Sequence, residues 1–97
     1  MAVLSEEEIK GKIKSLEGWQ LKGKEIRKVY TLKTFKDAIA FVNKVSDLAE
    51  RADHHPDFLI QYNKVTLMLS THSKGGVTDN DIKLAKQIEE VSGRSNS

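Results

Sequence analysis

The sequence predicts an α+β domain in which three helices pack on one face of a four-stranded antiparallel sheet, in the order αββαββα. Apolar residues recur at helical spacing in three segments, and two further segments each resemble a pair of short strands around a turn. The 97 residues contain no repeat and no low-complexity linker. We therefore expect one domain over residues 1–97, with a disordered tail at 93–97.

The first helix and the first hairpin are predicted near the N-terminus. In "SEEEIKGKIKSLEG", Ser5 can cap the helix while Glu8 completes a capping box, and Gly18 ends the helix. Its buried face is expected to contain Ile9, Ile13 and Leu16. Two strands follow in "WQLKGKEIRKVYTL", with a turn near Gly23.

The longest helix is predicted in "TFKDAIAFVNKVSDLAERAD", with Thr34 as its cap. The apolar residues that recur at helical spacing are Phe35, Ile39, Val42, Val45 and Ala49. The helix must end near Asp53, because Pro56 disfavours helical geometry at His55.

A second hairpin and a third helix complete the predicted fold. "DFLIQYNKVTLMLST" should turn near Asn63 and Lys64. In its second strand, Val65, Leu67, Leu69 and Thr71 should face one way, and Thr66, Met68, Ser70 and His72 the other. The third helix is expected to start at Thr78 and to end before Gly93. Its buried face should contain Ile82, Ala85, Ile88 and Val91.

Composition excludes several classes of function. The chain is 38% hydrophobic and 31% charged, as in ordinary globular proteins, and its net charge of +2 comes from interspersed charges. It has no basic stripe of the kind that binds nucleic acid, no apolar run of transmembrane length and no signal-peptide pattern. We therefore expect no direct nucleic-acid binding, no membrane partner and a cytoplasmic location. The absence of cysteine excludes disulfides and thiolate chemistry.

Three histidines, His54, His55 and His72, are the candidates for chemistry, and the residues alone leave three interpretations open. The histidines could be ordinary surface or helix-end residues. They could ligate zinc, although adjacent ligands are an unusual spacing and no H-x-x-x-H pattern is present. They could also transfer protons near neutral pH.

Local spacing suggests how an acid/base site could be built. Glu50 and His54 are four residues apart, so they can pair on one helical face. Asp81, in the first turn of the last helix, could orient His72 if the intervening loop folds back. This would give two acid/base candidates, each with a carboxylate partner.

The full spacing closely resembles the signature of the pterin-4a-carbinolamine dehydratases. Three residues separate Glu50 from the sequence "HHP", five separate this from Tyr62, nine separate Tyr62 from His72, and eight separate His72 from Asp81. The resemblance covers residues 4–91 and includes "GW", "YNKV" and "LSTH". One position differs, since Phe58 stands where animal members carry tryptophan, which bears on the shape of the pocket.

The resemblance implies the removal of water from a 4a-hydroxytetrahydropterin to give a quinonoid dihydropterin, in tetrahydrobiopterin recycling. It implies neither a metal nor an organic cofactor. The implied catalytic residues are Glu50, His54, His55, His72 and Asp81. The implied pterin contacts are Asp53, His54, His55, Ser70, Thr71, His72 and Ser73. On this basis we expect His54 and His72 to act as acid and base, and His55 mainly to orient the pterin.

The resemblance also bears on partners. It implies a homodimer or a homotetramer, which agrees with the small size of the domain and with sheet edges that must be covered or paired. Animal members also bind a homeodomain transcription factor and stabilise its dimer. A protein-binding role of this kind, or another step in pterin handling, is therefore the alternative function.

Overall fold

The computed structural model describes residues 2–95 and confirms the predicted fold class. Its elements are α1 Glu6–Ile13, β1 Gln20–Lys22, β2 Glu25–Thr31, α2 Phe35–Ala52, β3 Asp57–Gln61, β4 Lys64–Leu69, a 3₁₀ turn at His72–Lys74, and α3 Asp79–Ser95. The four strands form one antiparallel sheet in the order β1-β2-β4-β3. Among the helices described in residues 2–95, none combines the length and the hydropathy that a membrane-spanning helix requires.

The start of α1 matches the prediction, but its end does not. Ser5 Oγ accepts a hydrogen bond from Glu8 N at 3.1 Å, and Glu8 Oε1 accepts one from Ser5 N at 2.9 Å, which completes the capping box. The helix ends at Ile13 rather than at Gly18. Tighter turns replace it, because Leu16 N bonds to the carbonyl of Ile13, three residues back. These turns still bury Leu16 against the core.

Helix α2 buries a narrower strip than its periodicity suggests. Thr34 Oγ1 accepts from Asp37 N at 3.1 Å and caps the helix as predicted. The buried residues are Ala38, Phe41, Val45 and Ala49. Phe35, predicted to face the core, is 50% exposed, because the apolar face of α2 is wider than the surface that covers it.

The alternation predicted for β4 is confirmed on its inward face. Val65, Leu67 and Leu69 are fully buried, and they pair in register with Tyr30, Lys28 and Ile26 of β2. The β3–β4 turn lies at Tyr62 and Asn63, one residue earlier than predicted, so that Lys64 begins β4. The 3₁₀ turn follows the sheet and leaves His72 exposed.

Helix α3 is longer than predicted. It continues to Ser95 instead of ending before Gly93, because Gly93 is tolerated within the helix. Its predicted core residues Ile82, Ala85 and Ile88 are buried, and Val91 is half-buried. The tail expected at residues 93–97 therefore overlaps the helix, and residues 96 and 97 lie outside the described part of the chain.

Candidate active site

A left-handed residue at the end of α2 sets the direction of both adjacent histidines. Asp53 has φ 50° and ψ 43°, and its N–H bonds to the carbonyls of Ala49 and Glu50. Aspartate tolerates this conformation better than most residues do. The chain therefore leaves the helix axis before His54, and the buried Pro56 then leads into β3.

His54 points to α3 and hydrogen-bonds to Asp81. Its Nε2 contacts Asp81 Oδ1, across 27 residues of sequence. The side chain of His54 is 13% exposed, and that of Asp81 is fully buried. The predicted pairing of Glu50 with His54 is wrong, because the turn at Asp53 removes His54 from the helical face that carries Glu50.

Glu50 pairs instead with His55. Glu50 Oε2 and His55 Nε2 are 2.6 Å apart, and both side chains are mostly exposed to solvent. Exposed pairs of this kind contribute little to stability. The pair can, however, hold the His55 ring in one orientation at the protein surface.

Asp81 is held by a hydrogen-bond network at the start of α3. Its Oδ2 accepts from Thr71 Oγ1 and from Thr78 N, both at 2.9 Å. Thr71 Oγ1 also lies 2.7 Å from Thr78 Oγ1, so the two hydroxyls and the carboxylate form a continuous chain. The predicted pairing of Asp81 with His72 is wrong, because the buried carboxylate faces His54 and the two threonines while His72 faces solvent.

The network defines which nitrogen of His54 is available for proton transfer. The carboxylate of Asp81 can only accept, so Nε2 of a neutral His54 carries the proton and Nδ1 carries a lone pair. Within residues 2–95, Nδ1 makes no hydrogen bond. A histidine oriented in this way can accept a proton at Nδ1 and return it in a later step.

Sequence reasoning missed Thr78 as a member of the site. Thr78 is completely buried, and it occupies the N-cap position of α3, where Asn80 N donates to its hydroxyl at 3.3 Å. The sequence "TDND" carried this signal, since threonine followed three residues later by an acid is a common helix start. The link from this cap to His54 is a contact between distant segments, which spacing does not encode.

Two surface cavities adjoin these residues. The first, of about 360 Å³, lies between α2 and α3 and is lined by Leu48, Arg51, Ala52, His54, Asn80, Lys83, Leu84 and Gln87. The second, of about 260 Å³, is lined by Lys22, Lys24, Glu25, Ser70, His72, Gly75 and Gly76. His54 and His72 thus line different cavities, and Asp53, His55, Thr71 and Ser73 line neither of them. In the described part of the chain, no three His, Asp or Glu side chains are grouped so that they could hold a metal ion.

Comparison with known proteins identifies the family. The family model for pterin 4 alpha carbinolamine dehydratase matches residues 2–91. A protein of Roseiflexus castenholzii is 51% identical over 90 residues, which cover 93% of this chain and 97% of that protein. One of Sulfurisphaera tokodaii is 46% identical over 91 residues, covering 94% and 98%. Both carry the name pterin-4-alpha-carbinolamine dehydratase as a provisional designation.

A solved structure agrees with these relatives. The Brucella melitensis protein described as a transcriptional coactivator/pterin dehydratase superposes with a TM-score of 0.88 at 36% sequence identity. The alignment covers 94% of this chain and 99% of that one. The chain therefore belongs to the pterin-4a-carbinolamine dehydratase family.

Proposed function

We propose that this protein is a hydro-lyase that converts a 4a-hydroxytetrahydropterin to quinonoid dihydropterin and water, the step that the family resemblance places in the recycling of tetrahydropterins such as tetrahydrobiopterin. The observation that carries the proposal is the hydrogen-bonded pair of the part-buried His54 and the fully buried Asp81, which leaves one imidazole nitrogen free to exchange a proton. Membership of the dehydratase family supports the choice of substrate.

The proposed reaction needs two proton transfers. The carbon–oxygen bond at the carbinolamine carbon breaks, and hydroxide leaves as water after it receives a proton. A ring nitrogen loses its proton as the new double bond forms, so the number of protons balances. Imidazole suits both transfers at neutral pH, and neither transfer requires a metal or an organic cofactor.

We assign the two transfers to His54 and His72. Asp81 holds His54 with its Nδ1 free, and it stabilises the imidazolium that forms when Nδ1 takes a proton. Thr71 donates to the same carboxylate, which ties the chain immediately before His72 to the His54 pair. A pterin in contact with both histidines would have to span the region between the two cavities.

The remaining site residues have binding and positioning roles in this proposal. His55, held by Glu50, would orient the pterin from the exposed side. The family resemblance assigns further pterin contacts to Asp53, Ser70, Thr71 and Ser73. The hydroxyl of Thr71 is already bonded to Asp81 and Thr78, and its backbone N–H and carbonyl are bonded within the loop that follows. We therefore assign Thr71 to positioning the carboxylate, and its methyl group to any pterin contact.

Turnover of carbinolamine by purified variants, measured with a chelator present, tests the proposal. His54→Ala and His72→Ala should lower kcat, towards the small end of the roughly 10²- to 10⁴-fold range for general acid/base residues, because carbinolamine also dehydrates unaided. His55→Ala should raise KM at least as much as it lowers kcat. If both of the first two variants, folded by circular dichroism, turn over substrate at the parent rate, the mechanism is wrong.

A second candidate function is binding to another protein. The Brucella melitensis relative is described as a transcriptional coactivator as well as a dehydratase. The sheet here also ends in an edge strand, β3, whose Leu59 and Ile60 are exposed. We propose that this edge supports a homodimer or homotetramer, and that any partner protein uses a surface away from the histidines. His54→Ala should then have a lower kcat but keep its oligomeric state.

A further inference from the structure

The groove between α2 and α3, defined by the eight residues that line its cavity, has an apolar floor with His54 among its walls. Leu84 lies buried at the base of the groove, and the half-buried Leu48 offers carbon surface to a ligand. Asn80 and Gln87 add amide groups that can both donate and accept hydrogen bonds. A volume of about 360 Å³ is within the range of pockets that enclose small organic molecules.

The groove is positively charged, and its two cations have no ion-pair partner among the described residues. Arg51 from α2 and Lys83 from α3 line it, and none of the eight lining residues is acidic. Within residues 2–95, neither cation forms an ion pair. Asp79, four residues before Lys83 on the same helix, pairs with Lys12 at 3.6 Å instead.

We infer that this groove binds the side chain of the pterin substrate, and that this side chain carries a phosphate ester. The inference rests on the proposed function, which places the pterin ring against His54. A side chain that extends from the ring into the groove would pass over Leu84 and reach Arg51 and Lys83. A guanidinium can contact two phosphate oxygens at once, and an ammonium adds a second charge. Two cations on different helices suit a dianionic phosphate better than a single carboxylate.

The test compares two substrates that differ only in the phosphate. Both 4a-hydroxytetrahydropterins, one with a neutral polyhydroxylated side chain and one with its monophosphate, are assayed at the same ionic strength, because salt screens exposed charges. For the parent protein, kcat/KM should be about tenfold or more higher for the monophosphate, the effect of one or more charge-assisted hydrogen bonds. Arg51→Gln and Lys83→Gln should each reduce the ratio of kcat/KM for the monophosphate to kcat/KM for the neutral substrate. Lys86→Gln, an exposed charge change on α3 outside the groove, should leave it unchanged.

The outcomes separate this inference from the function on which it rests. If the neutral substrate is turned over and the ratio is the same in the parent and in both groove variants, the inference is overturned while the dehydratase assignment stands. If neither substrate is turned over, the dehydratase assignment is wrong and the inference falls with it. If a polyglutamate peptide inhibits turnover of both substrates equally, and Arg51→Gln relieves that inhibition, the groove takes an acidic polypeptide and the inference is wrong.

Discussion

The substitution Asp81→Asn should change which ring nitrogen of His54 carries the proton, while it preserves the shape of the site. Both hydrogen bonds to Oδ2, from Thr71 Oγ1 and Thr78 N, can be kept by the amide oxygen of asparagine. The amide nitrogen must then face His54 Nε2, to which it can only donate. Nε2 becomes the acceptor, so the proton of the neutral ring moves to Nδ1. The nitrogen proposed to act as the base is thereby blocked.

The expected effects on catalysis and on stability differ in size. Loss of the base should lower kcat towards the small end of the roughly 10²- to 10⁴-fold range for such residues, with less effect on KM. Stability should change little, because one hydrogen bond is altered and each contributes about 0.5–1.5 kcal/mol. Asp81→Ala should be much less stable, since it removes the acceptor shared by Thr78 N, Thr71 Oγ1 and His54 Nε2. Each buried donor that is left without a partner, Thr78 N above all, costs about 1–3 kcal/mol.

The assay is stopped-flow turnover of carbinolamine, with urea unfolding of the same samples. Asp79→Asn is the matched control, because it is the same change two residues earlier in the same helical turn. Asp79 is exposed and pairs only with Lys12 within the described residues. The control should keep both turnover and stability. Parent-like turnover by a folded Asp81→Asn protein would refute the assigned role of the His54–Asp81 pair.

Four further predictions concern the rest of the molecule. Leu67→Ala, at a fully buried position, should lower the free energy of unfolding in urea by about 2–5 kcal/mol. Val29→Ala, at an exposed position, should lower this free energy much less. Equal losses in the two variants would contradict the assigned core. Burial, with a hydrogen bond to Glu89, raises the pKa of Tyr30 above its ordinary 10.0, so folded Tyr30 keeps its proton where the unfolded chain loses it. Its contribution to stability is therefore lost above about pH 10, where the parent should lose stability more steeply than Tyr30→Phe, and parallel curves would exclude this effect. Untagged protein should contain far less than one equivalent of zinc, iron or copper by elemental analysis, and activity lost to a chelator and restored by one metal would overturn this expectation. Sedimentation equilibrium at micromolar concentration should show a dimer or tetramer, and a monomer would be contrary evidence.

The elements of the fold could be predicted because their signals are local. The capping box at Ser5 and the threonine cap at Thr34 involve residues three apart, and both are present as predicted. The inward face of β4 follows from strict alternation. Periodicity is less informative about where an apolar face stops being covered, and for this reason the exposure of Phe35 was not foreseen.

The pairing within the site could be predicted only in part. The spacing identified Glu50, His54, His72 and Asp81 as ionisable groups that could pair. The structure places three of these four in hydrogen-bonded pairs, with His55 as the fourth member in place of His72. Both pairings were nevertheless assigned incorrectly. The i, i+4 argument assumed that His54 continued the helix, whereas a single left-handed residue at Asp53 redirects the chain. Periodicity carries no information about such a residue.

The location of Asp81 explains how a small domain can hold a buried carboxylate beside a histidine. Asp81 is the third residue of α3, and the acceptance of a hydrogen bond from Thr78 N is what a side chain at this position ordinarily does at a helix start. One carboxylate oxygen thus serves the cap and Thr71, while the other remains for His54. The hydrogen bonds from Thr78 N and Thr71 Oγ1 therefore offset part of the free-energy cost of removing the Asp81 carboxylate from water, in addition to the contact with His54. It follows that substitutions of Asp81 affect folding and chemistry together unless they keep its shape, and the asparagine variant, unlike alanine, can separate the two.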